Sequence, residues 1–198
     1  IKGKYFDAPI HQLMGGPIRT SVDAYATGTY RKQFGDPMVY IIEEVLGYKA
    51  EGFSAVKLKV GFDVEEDAAL IEAVRNAVGP DFGLMLDANH GYDSIDAIRL
   101  AQRVEHLNLG WFEEPVPPED LEGYLAVKAS TSIPMAGGEC EYTRFGFREV
   151  LKSGAIDYLQ PDICAAGGLS ECKKIADMAN AFGIRLVPHV WGTGIGLS

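Results

Sequence analysis

The chain has 198 residues with a formal net charge of −10, 47% apolar residues and 23% charged residues. This length and composition are typical of one globular domain with a sizeable core and argue against a disordered chain. The negative charge disfavours nucleic acid and anionic membrane surfaces, and no apolar stretch approaches the roughly 18 residues that span a bilayer. We therefore expect no nucleic-acid partner and no membrane partner.

Cysteine usage bears on the cellular compartment. The three cysteines, Cys140, Cys164 and Cys172, are an odd number without the CxxC spacing of a metal site. No secretory signal stands at the start of the sequence, which begins with Ile1 rather than Met. Reduced thiols in a cytoplasmic protein are the simplest interpretation.

Short apolar or β-branched runs alternate with stretches of helical periodicity along the chain. The runs that predict strands are residues 21–26, 55–60, 83–87, 110–113, 133–137, 157–160 and 184–188. The stretches that predict helices are residues 64–78, 94–106, 119–130, 145–152 and 169–182. Helix starts are indicated at Asp93–Ser94 and Pro118–Glu119, and helix stops at Gly79–Pro80 and Gly183.

This alternation indicates parallel strands joined by crossover helices, in either an open doubly wound sheet or a (β/α)8 barrel. Seven strands are one short of a closed barrel, which would leave two unpaired edges. The lengths of the units and the placement of the acids described below favour the barrel. We therefore predict an α/β fold, an incomplete (β/α)8 TIM-type barrel with about seven βα units.

The second predicted strand carries two lysines on one face. In "AVKLKVG", Val56, Leu58 and Val60 share one side, and Lys57 and Lys59 share the other. Two adjacent ammonium groups that are partly buried disfavour each other's charge, so one of them should have a lowered pKa and accept a proton near neutral pH. The alternative is a pair that only forms salt bridges with nearby acids.

Three acids follow consecutive predicted strands at equal spacing. Asp87, Glu113 and Glu139 are each 26 residues apart, about one βα unit. In a barrel they would converge at the C-terminal mouth, where barrel enzymes keep their active sites. Because three close carboxylates repel, we expect a hard divalent cation, Mg²⁺ with Mn²⁺ as the alternative, to neutralise them. Helix capping or solvated loop charges are the competing interpretation.

A histidine and an acid follow the last two predicted strands. "QPDI" places Asp162 after the sixth strand, and "VPHV" places His189 after the seventh, 27 residues later. Adjacent strand ends would bring the carboxylate against the imidazole, which would fix the ring tautomer and stabilise its protonated form.

Six ordered motifs resemble the mandelate racemase and muconate lactonizing enzyme branch of the enolase superfamily, particularly its sugar-acid enzymes. They are "KLKVG", "DANHGYD", "WFEEPVPPE", "AGGE", "QPDICAAGG" and "VPHVWGTG". The resemblance implies removal of the proton α to a carboxylate of a small-molecule substrate, through an enediolate that the metal stabilises. Elimination would follow, as in a cycloisomerase or dehydratase.

The resemblance also implies roles for individual residues. Asp87, Glu113 and Glu139 would hold the metal, and the family motif selects Glu113 over Glu114. Lys59 would be one acid/base, with Lys57 tuning its pKa and touching the substrate carboxylate. His189, supported by Asp162, would be the acid/base on the opposite face. Asn89, His90 and Trp191 are candidates for substrate contact, because they adjoin these residues in the sequence.

Members of this branch carry an N-terminal capping domain. Residues 1–16 are therefore predicted to be the connection from such a domain, and residues 17–198 a barrel domain truncated at its C-terminal end. A homo-oligomer is expected. Three alternatives stay open: a racemase or epimerase of a 2-hydroxy acid by two-base proton transfer, a Schiff-base aldolase with Lys59 as nucleophile, and a non-catalytic barrel that binds a ligand.

Overall fold

The computed structural model describes residues 1–192 and 194–197 and shows seven parallel strands in one sheet. The strands are β1 Ala26–Thr27, β2 Ala55–Lys59, β3 Gly83–Asp87, β4 Phe112–Glu113, β5 Met135–Gly137, β6 Tyr158–Leu159 and β7 Arg185–Leu186. Their order in the sheet is their order in the chain, and every neighbouring pair is parallel. This half-barrel of βα units confirms the predicted truncated TIM-type fold.

Helices connect the strands, as parallel pairing requires. They are α1 Lys2–Phe6, α2 Ile10–Leu13, α3 Pro37–Ala50, α4 Val64–Val78, α5 Ser94–Val104, α6 Leu121–Ser130, α7 Thr143–Ser153, α8 Leu169–Ala181 and α9 Gly194–Leu197, with a 3₁₀ turn at Glu105–Leu107. Within the described ranges, none of these helices combines the length and hydrophobicity needed to cross a membrane.

The sheet has an apolar core on each face. The larger one lies between strands and helices and includes Val56 and Leu58, which are fully buried. The smaller one, on the inner face, is built on Met85, Trp111 and Ala136. The alternation predicted for β2 therefore holds, because its valine and leucine pack under the helices while its lysines lie on the other side.

Side-chain capping sets where several helices begin. Asp93 caps α5 by accepting a hydrogen bond from the backbone N–H of Asp96 at 2.9 Å, which confirms the predicted start at that position. The predicted start at Pro118–Glu119 is wrong by two residues. There Asp120 is the cap, because its carboxylate accepts the N–H of Gly123 at 2.8 Å, and α6 begins at Leu121.

Two elements near the start of the chain differ from the sequence prediction. The first strand is Ala26–Thr27 rather than residues 21–26, because β1 pairs with β2 over those two residues and the segment before them is largely exposed. Helix α3 is absent from the predicted helices. Its apolar residues surround the helix, and only Ile41 and Val45 are buried, so the sequence shows little amphipathic periodicity.

Gly61 allows the loop after β2 to lie against the end of β3. Its φ is +95°, and a Cβ built there would lie 2.4 Å from the carbonyl oxygen of Ala88. We expect Gly61→Ala to lower the free energy of unfolding by about 3 kcal/mol, since backbone on both sides of the clash would have to move. Gly79→Ala is the matched control, because Gly79 also has a positive φ (+86°) but a Cβ built there would meet no described atom within 4 Å outside the adjoining chain. It should cost roughly 1–2 kcal/mol.

Denaturant unfolding of both variants measures the difference between them. Equal losses of stability would contradict the close approach of the two loops.

Candidate active site

The carboxyl ends of β2, β3 and β4 bring lysines and acids together on the inner face of the sheet. Lys59 pairs in register with Asp87, and Asp87 pairs with Glu113. Lys57 Nζ lies 3.1 Å from Asp87 Oδ2 and donates a hydrogen bond to Glu113 Oε1, while Lys59 Nζ lies 2.5 Å from Asp87 Oδ2. Both acids are fully buried, so each depends on these cations for neutralisation.

Of the two lysines, one of which was expected to have a lowered pKa, Lys57 has a raised one. Burial alone would lower the pKa of Lys57, but the Glu113 and Asp87 carboxylates outweigh burial and raise that pKa above its ordinary value. Burial would likewise raise the pKa of Asp87, yet the two ammonium groups hold it below the usual range. The attraction between lysine and acid therefore exceeds the repulsion between the two lysines on which the sequence argument relied.

Each of the two buried acids has one oxygen held by fixed donors. Glu113 Oε2 accepts hydrogen bonds from Trp111 Nε1 at 3.0 Å and from Gln160 Nε2 at 2.6 Å. Asp87 Oδ1 accepts the backbone N–H of Asn89 at 2.9 Å. The second oxygen of each acid, Glu113 Oε1 and Asp87 Oδ2, is the one that contacts an ammonium group. The site thus presents one oriented oxygen per acid to a cation.

The third acid, Glu139, lies on the other side of the site. Its Oε2 is 3.2 Å from His189 Nε2, and its Oε1 is 3.5 Å from the side-chain nitrogen of Asn89. Among the described residues, Asp87, Glu113 and Glu139 do not form a group whose ligand oxygens all lie within 4.8 Å of one another. Because lysines and a histidine take up these oxygens, the predicted convergence is only partial.

Asp162 and His189 are adjacent, as the sequence predicts. His189 Nδ1 lies 2.8 Å from Asp162 Oδ2, and the two residues form a parallel backbone bridge. The other oxygen of Asp162 accepts the backbone N–H groups of Cys164 at 2.7 Å and Ala165 at 3.1 Å. Because a carboxylate accepts hydrogen bonds, Nδ1 is the donor, and Nε2 is turned towards Glu139.

A cavity of about 470 Å³ opens between these groups. It is lined by Tyr30, Lys59, Asn89, Glu139, Asp162, Cys164, Ala165, His189 and Trp191. The side chain of Lys59 is 18% exposed and that of Lys57 is 4% exposed, so Lys59 is the lysine that reaches the cavity. Of the candidates for substrate contact, Asn89 and Trp191 lie on its wall.

His90 is the exception, since it does not line this cavity. Its backbone has a φ of +66°, and its ring is turned to the buried Glu114 and to Cys140. The role of His90 in substrate contact therefore stays a prediction.

Four residues that shape the site were not predicted from the sequence. Trp111 and Gln160 donate hydrogen bonds that orient Glu113. The ring of Tyr30 lies 5.6 Å from the Lys59 ammonium. Glu114, next to Glu113 in the chain, is fully buried. One signal could have found Gln160. It stands two residues before Asp162 in "QPDI", and residues two apart in an extended segment share a face.

The donor set fits a hard divalent cation. Three carboxylates come from the ends of three consecutive strands or the loops that follow them, and oxygen is the donor that Mg²⁺ prefers. Two of the acids already hold one oxygen towards positive charge, which is the orientation that a metal ligand needs.

Glu114 carries a pH-dependent cost to stability. Burial, together with the carboxylates of Glu139 and Asp87, raises the pKa of Glu114 from 4.5 to about 9. Between these values the folded protein keeps a proton that the unfolded chain releases, so stability falls as the pH rises through that window. We expect Glu114→Gln to gain stability over the unaltered protein in this window, by up to about 1.4 kcal/mol per pH unit.

The measurement is denaturant unfolding in EDTA at several pH values. Glu171→Gln is a control of opposite sign, because hydrogen bonds from Arg144 lower the pKa of Glu171 to about 2. That variant should lose relative stability as the pH rises from about 2 to 4.5. A stability difference for Glu114→Gln that stays flat from pH 5 to 9 would contradict the buried, protonated state.

Comparisons with known proteins all indicate the same family. A family model described as enolase C-terminal domain-like matches residues 41–198. The chain is 51% identical over 195 residues to D-galactarolactone cycloisomerase of Agrobacterium fabrum, a match that covers 98% of this chain and 52% of the relative. It is 36% identical over 198 residues to arabinonate dehydratase of Saccharolobus solfataricus, covering 100% of this chain and 52% of the relative.

A solved structure shows the same fold. The 3,6-anhydro-D-galactonate cycloisomerase from Zobellia galactanivorans matches with a TM-score of 0.94 and 46% identity, over 99% of this chain and 54% of that one. The chain therefore spans about half the length of the relatives it matches.

Proposed function

Because the chain belongs to the enolase C-terminal domain-like family, we propose that its protein removes the proton α to the carboxylate of a sugar acid or its lactone, followed by elimination. The relatives named cycloisomerase and dehydratase support this substrate class and reaction type. The observation that carries the proposal is that Lys59 and His189 line one cavity together with Glu139.

Asp87, Glu113 and Glu139 are the residues that would hold Mg²⁺, or Mn²⁺ in its place. Bound there, the metal would supply electrostatic stabilisation of the negative charge that develops on the substrate carboxylate. The protein's own contribution is orientation, since Trp111, Gln160 and the backbone of Asn89 fix one oxygen of two of these acids.

Lys59 and His189, which both line the cavity, would carry out the proton transfers. Lys59, in its neutral form, would take the α-proton, and the C–H electron pair would move into the new carbon–carbon double bond. His189 would donate its Nε2 proton to the oxygen that leaves the β-carbon, and Asp162 would stabilise the imidazolium before that transfer. Lys57, deeper in the site, would act as counter-ion to Asp87 and Glu113.

A second candidate is racemisation or epimerisation of a 2-hydroxy acid. The observation in its favour is the presence of two acid/base groups from different strand ends around one cavity. Elimination is preferred because the similar proteins described above are two cycloisomerases and a dehydratase. Both reactions begin with the same proton transfer.

The experiment is proton exchange in heavy water. The complete protein is incubated with diacid sugars and their lactones in D₂O, with Mg²⁺ or with EDTA, and the α-position is followed by NMR. We expect exchange or elimination with metal and neither with chelator. Absence of metal-dependent exchange with every carboxylate tested would overturn the proposal, and borohydride trapping of substrate on Lys59 would favour the aldolase instead.

Several parts of the sequence prediction stay predictions. They are the role of residues 1–16 as a connection from a capping domain, the homo-oligomer and the cytoplasmic location. Residues 1–16 contain the two short helices α1 and α2, which have no buried residues.

A further inference from the structure

A second group of possible metal ligands lies outside the cavity. His90, Glu114 and Cys140 come from the segments that follow β3, β4 and β5, and their ligand atoms all lie within 4.8 Å of one another. Cys140 Sγ is 3.6 Å from His90 Nε2, and His90 Nε2 contacts Glu114 Oε2. None of the three lines the cavity that holds Lys59 and His189.

The side chain of Glu114 is buried without hydrogen bonds among the described residues, which indicates that a ligand binds it. It is fully buried, and within the described part of the chain neither of its carboxylate oxygens accepts a hydrogen bond of acceptable geometry. A buried polar group without hydrogen bonds is costly, so native proteins rarely leave one unless a ligand or ordered water satisfies it. Glu114 Oε2 contacts His90 Nε2, so an ion bound beside this contact could reach both residues.

Two of the three residues, His90 and Glu114, are also held in place before any ligand arrives. The backbone N–H of His90 donates to the carbonyl of Glu114 at 2.9 Å, and both residues have positive φ values of +66° and +42°. Glu114 follows β4 directly. The side chain of His90 is 29% exposed, which leaves a route from solvent to the cluster.

We propose that His90, Glu114 and Cys140 form a second metal site, selective for a borderline or soft divalent cation such as Zn²⁺. Imidazole and thiolate are donors that such ions prefer, whereas the all-oxygen set of Asp87, Glu113 and Glu139 suits Mg²⁺. Zinc bonds of about 2.0–2.3 Å at tetrahedral angles place ligand atoms roughly 3.3–3.6 Å apart. The observed sulfur–nitrogen distance of 3.6 Å fits this geometry. Glu114 Oε2 lies closer to His90 Nε2 than two zinc ligands do, so the carboxylate must move away from the ring when the ion binds.

Metal binding would release a proton from the Cys140 thiol. The Cys140 thiol would lose its proton to solvent as the metal–sulfur bond forms, and Glu114 would bind as a carboxylate. The fourth position would hold water, since three protein ligands leave a tetrahedral site open. The inference rests on the donor set and on the buried Glu114 carboxylate, and it does not depend on the proposed reaction.

Cobalt provides the test, because Co²⁺ bound to a thiolate absorbs through sulfur-to-metal charge transfer. The complete protein is titrated with Co²⁺ in the presence of excess Mg²⁺. We expect a charge-transfer band that saturates at one equivalent, that Zn²⁺ abolishes and that Mg²⁺ leaves unchanged. Cys140→Ser should remove the band, and His90→Gln should weaken Co²⁺ binding by at least about 10-fold.

Cys164→Ser is the matched control, since Cys164 is an exposed thiol outside the cluster, and it should keep the band. Zn²⁺ should also raise the melting temperature of the unaltered protein, which serves as a readout if Cys140→Ser does not fold. No band in the unaltered protein, a band that survives Cys140→Ser, or a band that Cys164→Ser removes would each overturn the site. None of these results bears on α-proton exchange, so the two proposals fail separately.

Discussion

Lys59→Ala is expected to lower the rate of metal-dependent α-proton exchange by roughly 10²–10⁴-fold, the usual contribution of a positioned acid/base. Lys59 is the lysine that lines the cavity, and Asp87 holds its ammonium group at 2.5 Å. Alanine removes the amine while leaving Lys57 to neutralise Asp87 and Glu113. The loss should therefore fall on proton transfer more than on folding.

His189→Asn is the companion to this variant and separates the two faces of the substrate. In the two-base reaction given above as the second candidate, each single variant should lose exchange with one configuration at the α-carbon and keep more of it with the other. If His189 only protonates the leaving oxygen, His189→Asn should keep α-proton exchange and lose elimination. The measurement is NMR of α-deuterium uptake with a pair of α-epimers, after circular dichroism has shown that each variant is folded.

Lys152→Ala, at an exposed position on α7, is the control and should leave both rates unchanged. Equal and small losses for both epimers in Lys59→Ala would contradict its role as the base.

The fold could be predicted because it repeats. Each βα unit places a short apolar run before a longer amphipathic stretch, and this regularity indicated seven strands whose order the structure confirms. The prediction failed where the pattern was weak. Helix α3 buries only Ile41 and Val45, and β1 has only two paired residues, so periodicity carried little information about either element.

Spacing along the chain located the acids but not their partners. Equal separations identified Asp87, Glu113 and Glu139 at successive strand ends, and the 27-residue step identified the contact between Asp162 and His189. Which oxygen faces which cation depends on side-chain geometry that spacing does not encode.

The pairing of Lys57 with Glu113 and the cluster around Glu114 arise from contacts between neighbouring loops. A shift of one residue along the chain changes the contacts completely, since Glu113 and the adjacent Glu114 have different partners. This is why the choice between them rested on a family motif rather than on spacing.

The charges at the end of the sheet explain how a buried acidic site can exist before a metal binds. Two fully buried carboxylates share the Lys57 ammonium, and a second ammonium from Lys59 contacts one of them. The lysines thus act as internal counter-ions. A divalent cation that binds the same oxygens must displace them, so metal affinity and folding stability are linked at Lys57.

Lys57→Met should therefore lower the free energy of unfolding of the metal-free protein by about 3–5 kcal/mol, the cost of leaving buried acids without their counter-ion. Methionine keeps much of the volume of the lysine stem, so lost packing contributes little. The same variant should bind Mg²⁺ more tightly than the unaltered protein, since no ammonium competes for Glu113 Oε1. Added Mg²⁺ should consequently restore more stability to the variant than to the unaltered protein.

Chemical unfolding in EDTA and at increasing Mg²⁺ concentrations measures both effects. Lys128→Met is the matched control, because it breaks a lysine–aspartate pair of 2.8 Å whose side chains are 32% and 36% exposed. An ion pair so close to solvent is worth about 0–1 kcal/mol, and its loss should not respond to Mg²⁺. A Lys57→Met variant that is as stable as Lys128→Met in EDTA would contradict the counter-ion role. Equal Mg²⁺ responses in the two variants would contradict the competition, because they would show that Lys57 does not compete with the metal for the oxygens of Asp87 and Glu113.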